Sequence, residues 1–251
     1  MITRRGFVGS IAAGAGGLLL SGCDKLNASP GFRDVLRSAE GLTLKAQRLV
    51  TDRQALAREY GLGDISPVFR ANGNSMPAST DYQRHAAAGF ADWRLTIDGL
   101  VRRPLSVPLD RIRQLPRRTQ ITRHDCVEGW SAIGRWTGAP LSILLDAAGL
   151  HQEARFLVFH CADSFGDTPY YESIDLVDAF HPQTILAWGL NGHPLPIANG
   201  APLRLRVERQ LGYKHAKFVQ RIEAVADLAR IHGGKGGYWE DSNDYAWYAG
   251  I

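Results

Sequence analysis

The sequence predicts an α+β fold, a mixed and sheet-rich single domain. Three observations point there. Short runs of alternating or apolar residues recur along the 251-residue chain, as half-buried strands require. Short helical stretches lie between them in no regular strand–helix–strand alternation. Neither an internal repeat nor an interdomain linker divides the chain, whose length suits one large domain or two small ones.

Taken in order, residues 1–23 read as an address. Arg4 and Arg5 precede an apolar Gly/Ala/Leu stretch from Phe7 to Leu20, too short and too glycine-rich for a membrane span. Thr3-Arg4-Arg5-Gly6-Phe7-Val8 resembles the twin-arginine export signal, and Leu20-Ser21-Gly22-Cys23 resembles a bacterial lipobox. These imply a signal peptide over 1–22, a lipid on Cys23, and a periplasmic protein held at the inner membrane, for which Asp24 is the favoured next residue. A tether with helices follows over 23–60: Ser29-Pro30 is a cap followed by proline at the first helical position, with helices expected near 31–39 and 52–60. The main domain then runs over 61–251. Gly61 to Thr80 is a long Gly/Pro/Ser/Asn loop, a length more often functional than idle.

Trp93 to Gly99 alternates and ends on a turn residue, so it reads as a strand, as does Arg118 to Val127. Pro140 to Leu150 reads as a helix closed by Gly149. Arg155 to Cys161 is a strand. Thr184 to Pro196 contains Asn191-Gly192, the strongest hairpin signal in the chain. Leu203 to Glu208 and Phe218 to Val225 supply further strands. The aromatic tail from Gly237 to Ile251 is expected to pack back on the domain.

Composition excludes several classes. With 45% hydrophobic and 22% charged residues, and 6 Trp, 8 Tyr and 9 Phe, the chain can bury a core and is not disordered. Twenty-nine basic residues against 25 acidic ones, without clustered Lys/Arg stripes, argue against nucleic-acid binding. Gly233-Gly234-Lys235-Gly236-Gly237 lacks phosphate-loop spacing and reads as a flexible turn. Gly-x-Gly-x-x-Gly after a strand, Cys-x-x-Cys and Gly-x-Ser-x-Gly are all absent.

Two cysteines remain after Cys23. In an exported protein Cys126 and Cys161 could form a disulfide. Alternatively, His124 with Cys126 and His160 with Cys161 could hold zinc or copper, although adjacent residues of a strand point to opposite faces, which makes convergence awkward.

A third reading comes from the neighbours of Cys126. Arg123-His124-Asp125-Cys126-Val127-Glu128-Gly129-Trp130 closely resembles the cysteine segment of the sulfite oxidase family of molybdopterin enzymes, nearest its bacterial periplasmic methionine sulfoxide reductase branch. There the motif reads Cys-Val-Glu-Ala-Trp-Ser, and Gly129 is the one change. Trp136 to Leu141 keeps Trp-x-Gly-x-Pro-Leu. Asn199 to Arg204, Gly212 to Lys217 and His181-Pro182-x-Thr184 match further family segments. The resemblance runs from about Ile65 to Val225.

It implies the sulfite oxidase molybdopterin-binding fold and a molybdenum–molybdopterin cofactor with Cys126 as the one protein ligand to the metal, a soft thiolate suited to a sulfur-bound metal. The pterin's phosphate needs cationic and amide donors. By the same correspondence Arg204, His215, Ala216 (through its backbone) and Lys217 supply them, and Asn72 and Asn199 contact the pterin. Ser75 and Met76 follow Asn72 in the long loop. Cys161 stands where the branch has a cofactor-contacting threonine, which leaves its role and the substrate open. Glu128 is expected beside the metal as a proton carrier, or alternatively as a surface or paired carboxylate.

The expected activity is oxygen-atom transfer by a molybdenum-dependent oxidoreductase, reducing a sulfoxide-type or other small oxo-substrate. A sulfite-oxidising enzyme and a non-catalytic periplasmic metal- or ligand-binding lipoprotein are the alternatives. The length leaves room for the cofactor domain alone, so a monomer is expected, drawing electrons from a membrane cytochrome, a quinone-linked protein or a soluble cytochrome.

Overall fold

The computed structural model describes residues 29–251. The export signal and Cys23 lie outside them. The chain divides into two units at Thr51/Asp52. The described part of the first is one helix, α1, Pro30–Val50, with proline at its first position. It is longer than the 31–39 expected from sequence.

The second unit, Asp52–Ile251, begins with an extended segment. The helix expected over 52–60 does not form. Gln183 accepts from the Ala57 N–H at 2.8 Å and donates to the Ala57 carbonyl at 3.0 Å. Tyr60 donates its N–H to Ile121 O at 2.9 Å. Tertiary partners have taken the backbone groups a helix would have used.

After the long loop come α2 (Thr80–Ala87), β1 (Arg94–Gly99), β2 (Leu105–Pro108), α3 (Leu109–Gln114), β3 (Arg118–Cys126), β4 (Trp130–Pro140) and α4 (Leu141–Ala148). There follow β5 (Phe156–Phe165), β6 (Thr168–Asp175), α5 (Leu176–Ala179), β7 (Ile185–Leu190), β8 (His193–Pro194), β9 (Arg204–Arg206), β10 (Val219–Val225) and α6 (Tyr238–Asn243). The strands form two sheets. One runs β2-β1-β10-β5-β6, and the other β3-β4-β7-β8 with β9 also paired to β7. Among the described strands, only β1 and β10 pair in parallel. This is the expected α+β, sheet-rich architecture.

The main core lies between the sheets. Leu95, Ile97, Leu157, Phe159 and Ile222 from the first sheet share a cluster with Leu186 and Leu205 from the second and Leu203 just before β9, all fully buried. Side chains of this kind contribute about 1.5–3 kcal/mol each on burial. A smaller cluster around Trp136, Ile185 and Ala187 lies on the other face of β7, so that strand is covered on both sides. Asn191-Gly192 forms the β7–β8 turn, both residues at positive φ (52° and 87°) as a two-residue hairpin demands.

Three strands were not legible from the sequence: β2, which is only four residues long and ends on a proline, β4 and β6. β4 buries Ala132, Gly134, Trp136 and Gly138, mostly small residues with weak strand preference. Gly138 is needed there, since a Cβ would lie 2.3 Å from Leu186 O. β6 buries Tyr170 through Ile174 in succession, which erases alternation. The tail does pack back: Leu211 N–H bonds Ala249 O at 2.9 Å, and Trp247 Nε1 bonds Ser173 Oγ at 2.8 Å. The Gly233–Gly237 stretch is a turn whose Gly233 and Lys235 amides are held by the Asp241 carboxylate at 2.8 and 2.9 Å.

Candidate functional site

Cys126 ends β3, and its register partner is Trp130 at the start of β4. Val127, Glu128 and Gly129 make the turn between them, closed by the Gly129 N–H to Cys126 O at 3.1 Å. Gly129 has φ +85°, a conformation that a Cβ disfavours. The residue where this chain departs from the Cys-Val-Glu-Ala-Trp pattern is therefore suited to the turn it occupies.

The Cys126 thiol is half-buried at a cavity of about 130 Å³ whose wall includes Asn72, Glu128, His215 and Lys217. Burial pushes the thiol up, and the Glu128 charge adds to this against the pull of Arg204 and Lys217. Glu128 is tied in place: Oε1 accepts the Gly73 N–H at 3.4 Å and Oε2 accepts the Trp130 indole N–H at 3.0 Å.

Behind the cavity lies a buried cationic layer. On β9, Arg204 and Arg206 share one face and Leu205 takes the other, so both guanidinium groups stand over Trp136, 5.4 and 4.4 Å from a ring centroid. Arg206 is neutralised by Glu208, at 2.5 and 2.9 Å. Arg204 has only neutral acceptors, Asn199 O at 3.1 Å and Asn72 Oδ1 at 3.0 Å, and its Nε–H has no partner. Burial, then the charge of Arg206, drives Arg204 down to about 9.

Lys217 likewise bonds only carbonyls: Asn72 O at 2.5 Å, Ala198 O at 3.0 Å, and Asn74 O. Burial and then Arg204 drive it down to about 7. Gly200 makes room for it, since a Cβ there would lie 2.9 Å from Lys217 Cβ.

His124 and His215 meet edge to face at 5.1 Å. His124 Nδ1 faces Arg206 Nη1 at 3.0 Å and so accepts; His215 Nε2 faces Gln210 O at 3.0 Å and so donates. Their other nitrogens are buried without partners. Burial holds both rings well below the usual histidine range, and the two arginines reinforce it. Gly212 permits this contact: its Cβ would be 2.6 Å from His124 Nε2.

The sequence-predicted residues therefore divide. Cys126, Glu128, Asn72, His215 and Lys217 line one cavity, and Arg204 backs it through Asn72. Asn199 is buried beside them and supports Arg204 by its carbonyl. Ala216 is in the core, its carbonyl taken by the Leu205 N–H. Ser75 and Met76 are exposed and off the cavity wall. Cys161 is buried off the wall, its Sγ 3.9 Å from Phe159 O.

Sequence reasoning missed Asn74, which bonds Asp163 Oδ2 and Ser164 O at 3.0 Å, and the aromatic wall of Phe165, Tyr170, Trp239 and Tyr245. The aromatics come from β5, β6 and the tail, and no local pattern ties them to Cys126.

The other cysteine readings find no geometry. Cys126 and Cys161 are both free, and His160 pairs instead with Glu223 at 2.9 Å on the first sheet. Among the described residues no group of three or more His, Cys, Asp or Glu could hold a metal ion. The donor set does fit an anionic, sulfur-bound metal cofactor: one accessible thiol, with Arg204 and Lys217 lacking any bonded carboxylate and an Arg204 N–H unsatisfied.

Comparison with known proteins agrees. Residues 82–230 match the family model described as the oxidoreductase molybdopterin binding domain. A protein of Azospira oryzae, provisionally named protein-methionine-sulfoxide reductase subunit YedZ1, is 41% identical over 160 residues, covering 64% of this chain and 56% of that one. The protein-methionine-sulfoxide reductase catalytic subunit MsrP of Gluconobacter oxydans is 38% identical over 146 residues, 53% of this chain and 47% of that one. The crystal structure of the sulfane dehydrogenase SoxCD from Paracoccus pantotrophus superposes with a TM-score of 0.50 at 26% identity, covering 55% of this chain and 39% of that one. The chain thus spans about half the length of the curated relatives it matches.

Proposed function

The chain belongs to the molybdopterin-binding oxidoreductase family, with the sulfite oxidase type of fold, and from that premise we propose that it is an exported molybdenum enzyme that reduces a sulfoxide-type substrate. The observation that carries this reading is the pairing of Cys126 on the cavity wall with Lys217 beside it and Arg204 behind it, neither of them hydrogen-bonded to a carboxylate. Cys126 would hold the metal as thiolate, since coordination removes the proton that burial otherwise retains. Arg204, Lys217, His215 and Asn72 would hold the anionic part of the pterin. When bound, this cofactor supplies a two-electron redox centre competent for oxygen-atom transfer.

The chain's own residues do the rest. Reducing a sulfoxide to a thioether consumes two electrons and two protons and releases water. Glu128 would pass those protons, a role supported by its place on the cavity wall, where Gly73 and Trp130 hold it. Phe165, Tyr170, Trp239 and Tyr245 restrict water and offer ring edges to sulfur. Electrons come from a cytochrome or quinone-linked partner. Export by the twin-arginine signal, lipidation at Cys23 and a periplasmic location belong to the same reading and rest on residues 1–23 of the sequence.

The deciding experiment is metal analysis of the protein from a molybdate-replete host, followed by turnover with methionine sulfoxide and with sulfite. Near-stoichiometric molybdenum and sulfoxide turnover that Cys126→Ala abolishes are expected. Stoichiometric zinc without pterin would overturn the assignment. Turnover of sulfite alone would replace the substrate class with sulfite oxidation.

A further inference from the structure

We propose that the outer face of the second sheet carries a separate binding site for a phosphate-bearing anion. A groove of about 500 Å³ there is lined by Arg113, Arg117 and Arg135 together with Trp188 and His193, and no carboxylate lines it. Its face is the reverse of the cofactor side. In β4 Trp136 points to the buried cationic layer, while Arg135 and Thr137 alternate to the outside. Thr137 pairs with Thr119 of β3, their hydroxyls 3.0 Å apart on the groove floor. Thr119 and Cys126 lie at opposite ends of β3, about 23 Å apart at the usual rise per strand residue.

The groove is built rather than incidental. Arg135 is clasped to the β7–β8 turn: its N–H donates to Asn191 Oδ1 at 2.9 Å, and the Asn191 N–H donates to Arg135 O at 2.7 Å. Gly192, the next turn residue, leaves space for the guanidinium, because a Cβ there would sit 2.5 Å from Arg135 Nη2. The Arg135 Nε is buried without a hydrogen-bond partner. None of the three arginines has an ion pair among the described residues.

Three guanidinium groups without ion pairs line one groove. Their planar donor forks match phosphate oxygens in pairs. The groove exceeds the size of one phosphate, and Trp188 offers an apolar surface beside it. The ligand class is therefore a phosphate ester with an organic remainder, whether free in solution or as the headgroup of an anionic lipid.

The test uses the full-length, cofactor-loaded protein, in which the cavity at Cys126 is filled. Calorimetric titration with inorganic pyrophosphate reads the free-anion arm. Co-sedimentation with vesicles of phosphatidylcholine, alone or mixed with phosphatidylglycerol, reads the lipid arm. Saturable binding in either arm is expected, weakened about tenfold by Arg135→Gln and comparably by the double change Arg113→Gln with Arg117→Gln at two exposed positions. Arg103→Gln, exposed and off the groove, should leave it unchanged. Pyrophosphate binding without vesicle binding assigns the groove to a free phosphate-bearing anion, and selective binding to phosphatidylglycerol vesicles assigns it to a headgroup. Binding in neither arm, or binding that Arg103→Gln weakens as much as the groove variants do, overturns the proposal.

Discussion

Arg204 donates to Asn72 across 132 residues of sequence, at 3.0 Å, and meets no carboxylate there. An asparagine side chain can orient a guanidinium but cannot neutralise it. In the proposed function this pair would be half of an anion receptor, and the cofactor would complete it.

Arg204→Met should therefore separate cofactor binding from folding. Loss of a charge-assisted contact to phosphate costs about 1.5–3 kcal/mol, a roughly 10- to 100-fold drop in cofactor affinity. The cofactor-free protein loses no ion pair, so its melting temperature should stay within about 4 °C. Pterin content and differential scanning calorimetry check both. A collapse in melting temperature would show that Arg204 is structural.

Lys217 predicts a pH dependence. With its amine driven down to about 7, the cofactor-free protein carries the charge below that pH and loses it above. Cofactor loading should accordingly weaken as pH rises through 7, and Lys217→Arg should flatten the profile. The stability of the cofactor-free chain moves the other way. Between about 7 and the ordinary lysine value of 10.5 the unfolded chain binds the proton and the folded chain does not. Stability then rises with pH in that window. Pterin release and urea unfolding, each measured across it, test the two signs.

Gly138→Ala tests the close approach of β4 to β7. The added Cβ would lie 2.3 Å from a backbone oxygen, Leu186 O, which no rotamer change can relieve. Overpacking of this kind costs about 1–3 kcal/mol. At about 2–4 °C per kcal/mol for a unit of this size, a loss of about 2–12 °C in melting temperature is expected.

The fully buried Lys214 bridges Glu172 and Glu240 (2.7 Å to the latter). Burial, and then the charge of Glu240, pushes Glu172 well above the carboxylate range. Glu240→Gln leaves one acid against one amine and should be nearly neutral. Lys214→Met leaves two buried carboxylates unpaired and should cost about 3–5 kcal/mol in chemical denaturation.

The sequence made legible whatever local chemistry dictates. The Asn191-Gly192 turn, the alternation of β1 and β3, and the apolar run of β5 all recover their elements. The cysteine, histidine and lysine lining the cavity, and the arginine behind it, follow from motif register: Cys126 ends β3, Arg204 opens β9, and His215 and Lys217 lie in the short bend that leads into β10. What stayed hidden depends on distant partners. The segment 52–60 is helical by composition but extended because Gln183 holds Ala57. β4 uses small residues that only the approach of β7 explains. Trp239 and Tyr245 reach the cavity from a tail more than a hundred residues beyond Cys126.

The placement of β10 has a kinetic consequence. It is the central strand of the first sheet, between β1 and β5, yet it is the last strand in the chain. During synthesis β1 has no partner on that side for well over a hundred residues, and β5 waits for the same strand. The sheet closes only after Val219–Val225 leaves the ribosome, in a slow, non-local step. His215 and Lys217 emerge just ahead of it. Completion of the sheet and of the proposed anion receptor would thus be one late event, and a chain truncated before His215 should offer neither.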